Sequence, residues 1–369
     1  MGDINLDQLK EIYKKTYDEK CKHYENIAEK HELPATERII VMGDLHGDMQ
    51  ETIKSLKLAG LVKYNSKKNS VKWTGGNTVL VQVGDQIDRC RQQPCSIPSN
   101  NDENSDIRIL KLFTELHTQA TKEGGAVYSV IGNHEVMNVD GRMDYVSYKN
   151  YSTFEGDKNN QEFLSNLPEN LKGMDARKWV FKPGNPIANF LACTRKMSLK
   201  IGDSLFVHAG ILPEISQKYK ISDLNTILSL YLTNNLTEIE KYTDVLGPDA
   251  ARGTLIKNSE TCEGRECFNI SPLWNRQLGN INGSVESCNN LLDPVFEKYG
   301  VKRMIIGHTP QLTSGINSKC DDRLWFVDYG SSKAFDVADI NVSLNNQRSE
   351  TRNSQVLEIL NDTQVRVLK

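Results

Sequence analysis

No stretch of the chain approaches the roughly 20 consecutive apolar residues needed to cross a bilayer, so hydropathy predicts no membrane partner. Neither sign of charge dominates. The 369 residues carry 45 Lys and Arg against 48 Asp and Glu, a net charge of −3. That balance lacks the basic stripe of a nucleic-acid binder and gives no reason to expect a DNA or RNA partner. The amino end has no apolar signal core, and Leu6 stands where a myristoylation signal places Ser or Thr. Internal repeats and long low-complexity tracts are also missing. The default expectation is a soluble, cytoplasmic protein. In that setting the cysteines (Cys21, Cys90, Cys95, Cys193, Cys262, Cys267, Cys288 and Cys320) are expected as free thiols. Cys90 with Cys95, and Cys262 with Cys267, share a C-x4-C spacing, which leaves a structural zinc or two local disulfides as the alternative.

What is present is a set of apolar runs that all end alike. Ile39-Ile40-Val41-Met42 leads into Gly43-Asp44-Leu45-His46-Gly47-Asp48, and Val79–Val83 into Gly84-Asp85-Gln86-Ile87-Asp88-Arg89. Ala126–Ile131 leads into Gly132-Asn133-His134-Glu135; Leu205-Phe206-Val207 into His208-Ala209-Gly210; and Met304-Ile305-Ile306 into Gly307-His308-Thr309. One Asp-x-His on a turn is a weak signal, and an isolated histidine is more often an ordinary core or surface residue. Five strands that each end in Asp, Asn or His argue for one shared site at the carboxyl edge of an α/β sheet.

Between the first three runs lie helical patterns near residues 50–58 and 106–121, giving a βαβαβ unit with parallel strands. Asp44, Asp85 and Asn133 therefore emerge along one edge. Residues 1–33 read as a charged helix stopped by Pro34, whose apolar stripe is expected to dock residues 1–36 onto a domain spanning 37–369, with a partner-binding helix as the alternative. Insertions at about 141–195 and 213–300 are candidate caps, the second a helical lid. Strands at 304–306, 324–327, 356–360 and 365–368 close the chain, the last two as a hairpin around Asn361-Asp362.

Asp44, His46, Asp85, Asn133, His208 and His308 offer oxygen and imidazole donors without thiolate, a set suited to Mn, Fe or Zn. Six donors exceed one tetrahedral zinc and fit two divalent ions sharing a carboxylate, with Asp85 the central bridge. Two adjacent cations would lower the pKa of a bridging water and supply hydroxide for direct attack on a phosphate ester. Arg89 offers a two-pronged phosphate donor, whose plainer alternative is a simple ion pair. His134 is placed to protonate the leaving oxygen, and Asp88 to orient that imidazole.

Taken together, GDLHGD, GDQIDR, GNHE, FVHAG and GHT resemble the metal-binding motifs of the calcineurin-like metallophosphoesterases, over roughly residues 38–330. GNHE with Asp-Arg in the second motif resembles the phosphoprotein phosphatase family. The Gly43–Asp48 run, Asn133–Asn138 with Tyr145-Val146, and Pro272-Leu273-Trp274-Asn275-Arg276 are similar to its bacterial-type, Shewanella-like branch. Asp48 and Cys90 stand where the eukaryotic Ser/Thr enzymes usually have Gln and Gly. The resemblance implies an α/β fold of two mixed sheets packed as a sandwich flanked by helices, in four αββα layers. It implies one metal on Asp44, His46 and Asp85, and a second on Asp85, Asn133, His208 and His308. His134 and Asp88 match the family's acid pair, Arg89 its phosphate clamp, and Arg276 a second phosphate contact; for Arg276 the alternative is packing over Trp274. The implied activity is a phosphomonoesterase acting on phosphoproteins at Ser/Thr or Tyr. The alternative is a dinucleoside polyphosphate hydrolase of the same fold.

Overall fold

In a computed structural model, which describes residues 5–24, 27, 30–92, 94–95, 97–98, 101–154, 161–251 and 269–369, the five apolar runs are strands of two six-stranded mixed sheets. In the first sheet Arg38–Met42, Val79–Gln82, Ala126–Val130 and Arg195–Lys196 run parallel, and the hairpin Val356–Leu360/Gln364–Leu368 joins antiparallel beside Arg38–Met42. In the second, Arg303–Ile306 lies parallel to both Ser204–Val207 and Leu324–Phe326, with Ser198–Ile201 and Asn317–Lys319 antiparallel outside them.

Side chains alternate across each strand, so one run supplies two interfaces. Ile39, Val41, Val79 and Val81 meet Leu199, Phe206, Ile305 and Trp325 in the core between the sheets. Ile40, Met42 and Leu80 face the other way, against Leu56 of helix Met49–Leu58 and Phe113 of helix Asp106–Ala120. Leu205, Val207, Met304 and Ile306 turn outward onto Leu228 of helix Ile221–Leu232 and Leu292 of helix Val285–Tyr299. The four-layer αββα arrangement follows from that alternation. Each fully buried aliphatic side chain is worth about 1.5–3 kcal/mol. Among the described residues no helix is long and apolar enough to cross a membrane.

Three expectations need correction. The amino-terminal helix spans Leu6–Lys20 and is capped by Cys21, not continuous to residue 33; Glu32–Leu33 instead adds an edge strand beside Lys200–Ile201. Within the segment read as a lid, helix Ile221–Leu232 belongs to the core, with every residue except Ser222 buried; residues 252–268 of that segment lie outside the described residues. The free-thiol reading fails for the six described cysteines: Cys21–Cys193, Cys90–Cys95 and Cys288–Cys320 are disulfides, the second being the local bridge kept as the alternative. Two of these pair residues 172 and 32 positions apart, brought together by packing that spacing in the chain cannot reveal. Disulfides are rare in reducing compartments, so the expectation of free thiols drawn from a default cytoplasmic setting does not hold. Cys262 and Cys267 lie outside the described residues.

Candidate metal centre and active site

The turns that follow five strands converge, three from one sheet and two from the other. Two close approaches explain their glycines. A Cβ on Gly132 would lie 2.1 Å from Asp85 Oδ1, and one on Gly307 would lie 2.1 Å from Asp44 Oδ1. Only a bare Cα lets the loops close onto the carboxylates.

Asp85 stands at the centre. Its Oδ2 lies 3.8 Å from His46 Nε2 and 3.9 Å from His134 Nε2, and its Oδ1 lies 3.4 Å from His208 Nε2. Two groups of side chains thus meet on one carboxylate: His46, Asp85 and His134, and Asp85, His208 and His308. Asp44 Oδ2 is 3.9 Å from His46 Nε2 and accepts from the His308 amide at 3.1 Å. All of these residues are buried.

The hydrogen-bond pattern tests whether the set suits a cation. His208 Nδ1 is 2.8 Å from the Val83 carbonyl and so carries the proton; its Nε2 lone pair then faces Asn133 Oδ1 at 2.8 Å. His308 Nε2 is 3.1 Å from the Trp274 carbonyl, leaving its Nδ1 lone pair toward the same oxygen at 2.9 Å. In their neutral forms both rings put an electron pair against that oxygen, while burial is outweighed at His208 by Asp85 and the Val83 carbonyl, which raise its pKa above the ordinary value in the absence of a cation. A shared cation resolves that conflict, and the donor set is that of a divalent ion. Charge argues the same way. Burial, Asp328 and Asp85 push the Asp44 carboxyl well above its usual range, and burial with Asp85 takes Glu135 to about 7. Several buried acids without enough positive charge beside them make a natural cation site.

His134 is oriented from behind. Its Nδ1 is 2.9 Å from Asp88 Oδ2, and Asp88 also accepts from Asn138 Nδ2 at 2.9 and 3.1 Å. Arg177 Nη2 lies 3.5 Å from Asp88 Oδ1 and pairs with Asp106 Oδ2 at 2.8 Å.

The two expected phosphate arginines are placed differently. Arg276 sits beside the last ligand loop, donating to the His308 carbonyl at 2.5 Å and to Thr309 Oγ1 at 3.2 Å. Trp274 is covered instead by Arg142, whose Cζ is 6.0 Å from the ring. Arg89 forms an ion pair, buried rather than on the surface: it meets Asp48 Oδ2 at 3.1 Å and Glu103 Oε1 at 3.7 Å, and donates to the Gly47 and Asn101 carbonyls. Its physical reason is Asp48, a buried carboxylate that also caps helix Met49–Leu58. The guanidinium that reaches the imidazoles belongs to Arg91, with Nη2 2.7 Å from His46 Nδ1 and 3.4 Å from His134 Nε2.

Sequence reasoning passed over several participants. Glu135 accepts from the backbone amides of Gly132, Asp85 and Gln86, tying the second and third loops together; an acid in the first turn of a helix was the available signal. Asp328 ends the strand Leu324–Phe326 as Asp44 ends its own, and burial and Asp85 are among the causes that take it to about 6. Arg177 and Arg91 carried no readable signal.

Residues 37–312 match the family Calcineurin-like phosphoesterase. An uncharacterised protein of Acanthamoeba polyphaga mimivirus is 34% identical over 279 residues, covering 69% of this chain and 97% of that one. Shewanella-like protein phosphatase 2 of Arabidopsis thaliana is 29% identical over 322 residues, covering 80% of this chain and 72% of the relative. The crystal structure of the cold-active protein-tyrosine phosphatase of a psychrophilic Shewanella has the same fold, with a TM-score of 0.58 at 18% identity, over 93% of this chain and 83% of that one.

Proposed function

From the premise that the chain belongs to the calcineurin-like phosphoesterases, hydrolases of phosphate esters, we propose that it is a phosphoprotein phosphatase with a dinuclear metal centre. One observation carries this reading: the Asp85 carboxylate lies between two imidazole groups, within 3.4–3.9 Å of three ring nitrogens. Asp44, His46 and Asp85 would hold one divalent ion, and Asp85, Asn133, His208 and His308 the other. Mn, Fe or Zn in these positions supplies Lewis acidity toward the phosphoryl oxygens and acidifies water toward neutral pH.

The chain's own groups do the rest. His134 donates Nδ1–H to Asp88, which fixes the ring and leaves Nε2 to carry a proton to the departing oxygen. Asn138 and Arg177 hold the Asp88 carboxylate so that it cannot rotate away. Arg276, anchored on the His308 loop, offers its remaining N–H groups to the phosphoryl oxygens. Relatives named as Shewanella-like protein phosphatases support a phosphoprotein substrate.

The test is hydrolysis of a phosphotyrosine peptide, a phosphoserine peptide and diadenosine tetraphosphate in parallel, with manganese added. Faster release of phosphate from either peptide is expected. Preference for the dinucleotide would replace the phosphoprotein reading by the nucleotide one, and turnover of none of the three would overturn both.

A further inference from the structure

Arg89 and Arg91 sit two residues apart on one loop, yet their surroundings differ in kind. Arg89 is buried and neutralised by Asp48 and Glu103. Arg91 is half-buried and has no carboxylate partner among the described residues. Its Nη1 donates to the carbonyls of Asp88 and Cys90, both at 2.9 Å, and its Nη2 lies 2.7 and 3.0 Å from the two ring nitrogens of His46. Burial lowers the Arg91 pKa although Asp85 and Asp88 oppose the shift from beyond ion-pair distance, so a guanidinium held directly by carbonyls and imidazoles has room for an anion in contact with it.

Its plane is fixed. Cζ lies 5.1 Å from the Tyr145 ring centroid and 5.0 Å from that of Phe335, so two aromatic faces grip the group. Arg91 also lines a cavity of about 510 Å³, together with Cys95, Ile97, Tyr148, Lys333 and Val337. Ile97 is 59% and Val337 58% exposed, so the cavity opens to solvent. Arg91 thus stands where that cavity meets His46 and His134.

We propose that Arg91, and not Arg89, is the residue of this loop that binds the phosphoryl group of the substrate, entering from the cavity beside it. The proposal rests on the phosphatase reading above and adds a specific binding residue to it. A phosphate monoester dianion supplies the charge Arg91 lacks, and the planar fork matches two phosphoryl oxygens. Arg89 keeps the loop in place through Asp48.

The experiment uses the full chain loaded with manganese and three variants, Arg91→Ala, Arg91→Lys and Arg89→Lys. Inorganic phosphate binding is measured by calorimetry, metal content by elemental analysis, and kcat and KM with p-nitrophenyl phosphate. For Arg91→Ala the phosphate Kd and KM should rise roughly ten- to hundredfold at unchanged metal content, the loss expected for a charged hydrogen bond. Arg91→Lys should recover part of it, and Arg89→Lys should lower the thermal midpoint with phosphate Kd unchanged. An unaltered phosphate Kd in Arg91→Ala overturns the proposal, as does a loss of metal in step with phosphate in both Arg91 variants. Wild type that neither binds phosphate nor turns over the ester would instead sink the phosphatase reading itself.

Discussion

Asp85 adopts a φ of +52°, and His46, Asp88 and His308 also lie in the left-handed region at +42°, +70° and +67°. Such conformations cost roughly 1–3 kcal/mol each and persist where the surroundings over-determine them. Asp and Asn tolerate that region best, so Asp85→Asn keeps the turn while removing the shared charge. We expect this variant to fold with a thermal midpoint within a few degrees of wild type in chelator, and to lose hydrolysis of p-nitrophenyl phosphate by at least about a hundredfold. Retained turnover would refute the bridging position of Asp85. At this scale the carboxylates and imidazoles were legible because each directly follows its own strand. Arg91 was not, because its partners Tyr145 and Phe335 come from segments with no strand to announce them. The ion pairs of Arg89 were hidden for a related reason: in the chain it is a free cation, and only the fold brings Asp48 and Glu103 against it.

Helices Asp106–Ala120 and Gly173–Phe181 meet behind the acid pair through Arg177 and Asp106. Burial lifts the Asp106 carboxyl from 3.8 to about 6, although Arg177 opposes the shift. Folding therefore takes up a proton between those values. The associated stability is complete below the unfolded pKa and disappears as pH rises through the folded one, by up to about 3 kcal/mol. Asp106→Asn has no such proton. The midpoint of wild type relative to this variant should therefore fall steadily between about pH 4 and 6; a constant difference in melting curves would show that Asp106 is ionised throughout. The helix itself was visible in the spacing of Ile109, Leu112, Phe113 and Leu116, as were the strands that pack under it. The two-residue edge strand Glu32–Leu33 was not. Two residues have no period, and only its neighbour Lys200–Ile201 defines it.

Across the whole molecule, Cys21–Cys193 ties the amino-terminal helix to helix Pro186–Thr194 over 172 residues of chain. A loop of that length loses much of its unfolded freedom when closed, on the order of 5 kcal/mol in the chain-entropy account. Cys21→Ser should lower the unfolding free energy by roughly 2–5 kcal/mol. kcat/KM should stay unchanged, since neither helix carries a site residue; equal stability in denaturant titrations would mean that packing alone holds the helix. The parallel βαβαβ half was foreseeable from the strand and helix patterns, and the full sandwich only from the motifs' resemblance to the calcineurin-like metallophosphoesterases. The covalent ties between distant parts were not, because pairing is settled by which helices lie side by side.

The donors around Asp85 come from both layers of the sandwich, Asp44, Asp85 and Asn133 from one and His208 and His308 from the other. A cation seated there works as a rivet through the stack. Its affinity is at once a measure of how well the layers are aligned and a share of what keeps them so, about 2.7 kcal/mol at a hundredfold excess over Kd. A slip between the layers would scatter the donors before it exposed the core, and the protein would release its ion while still folded.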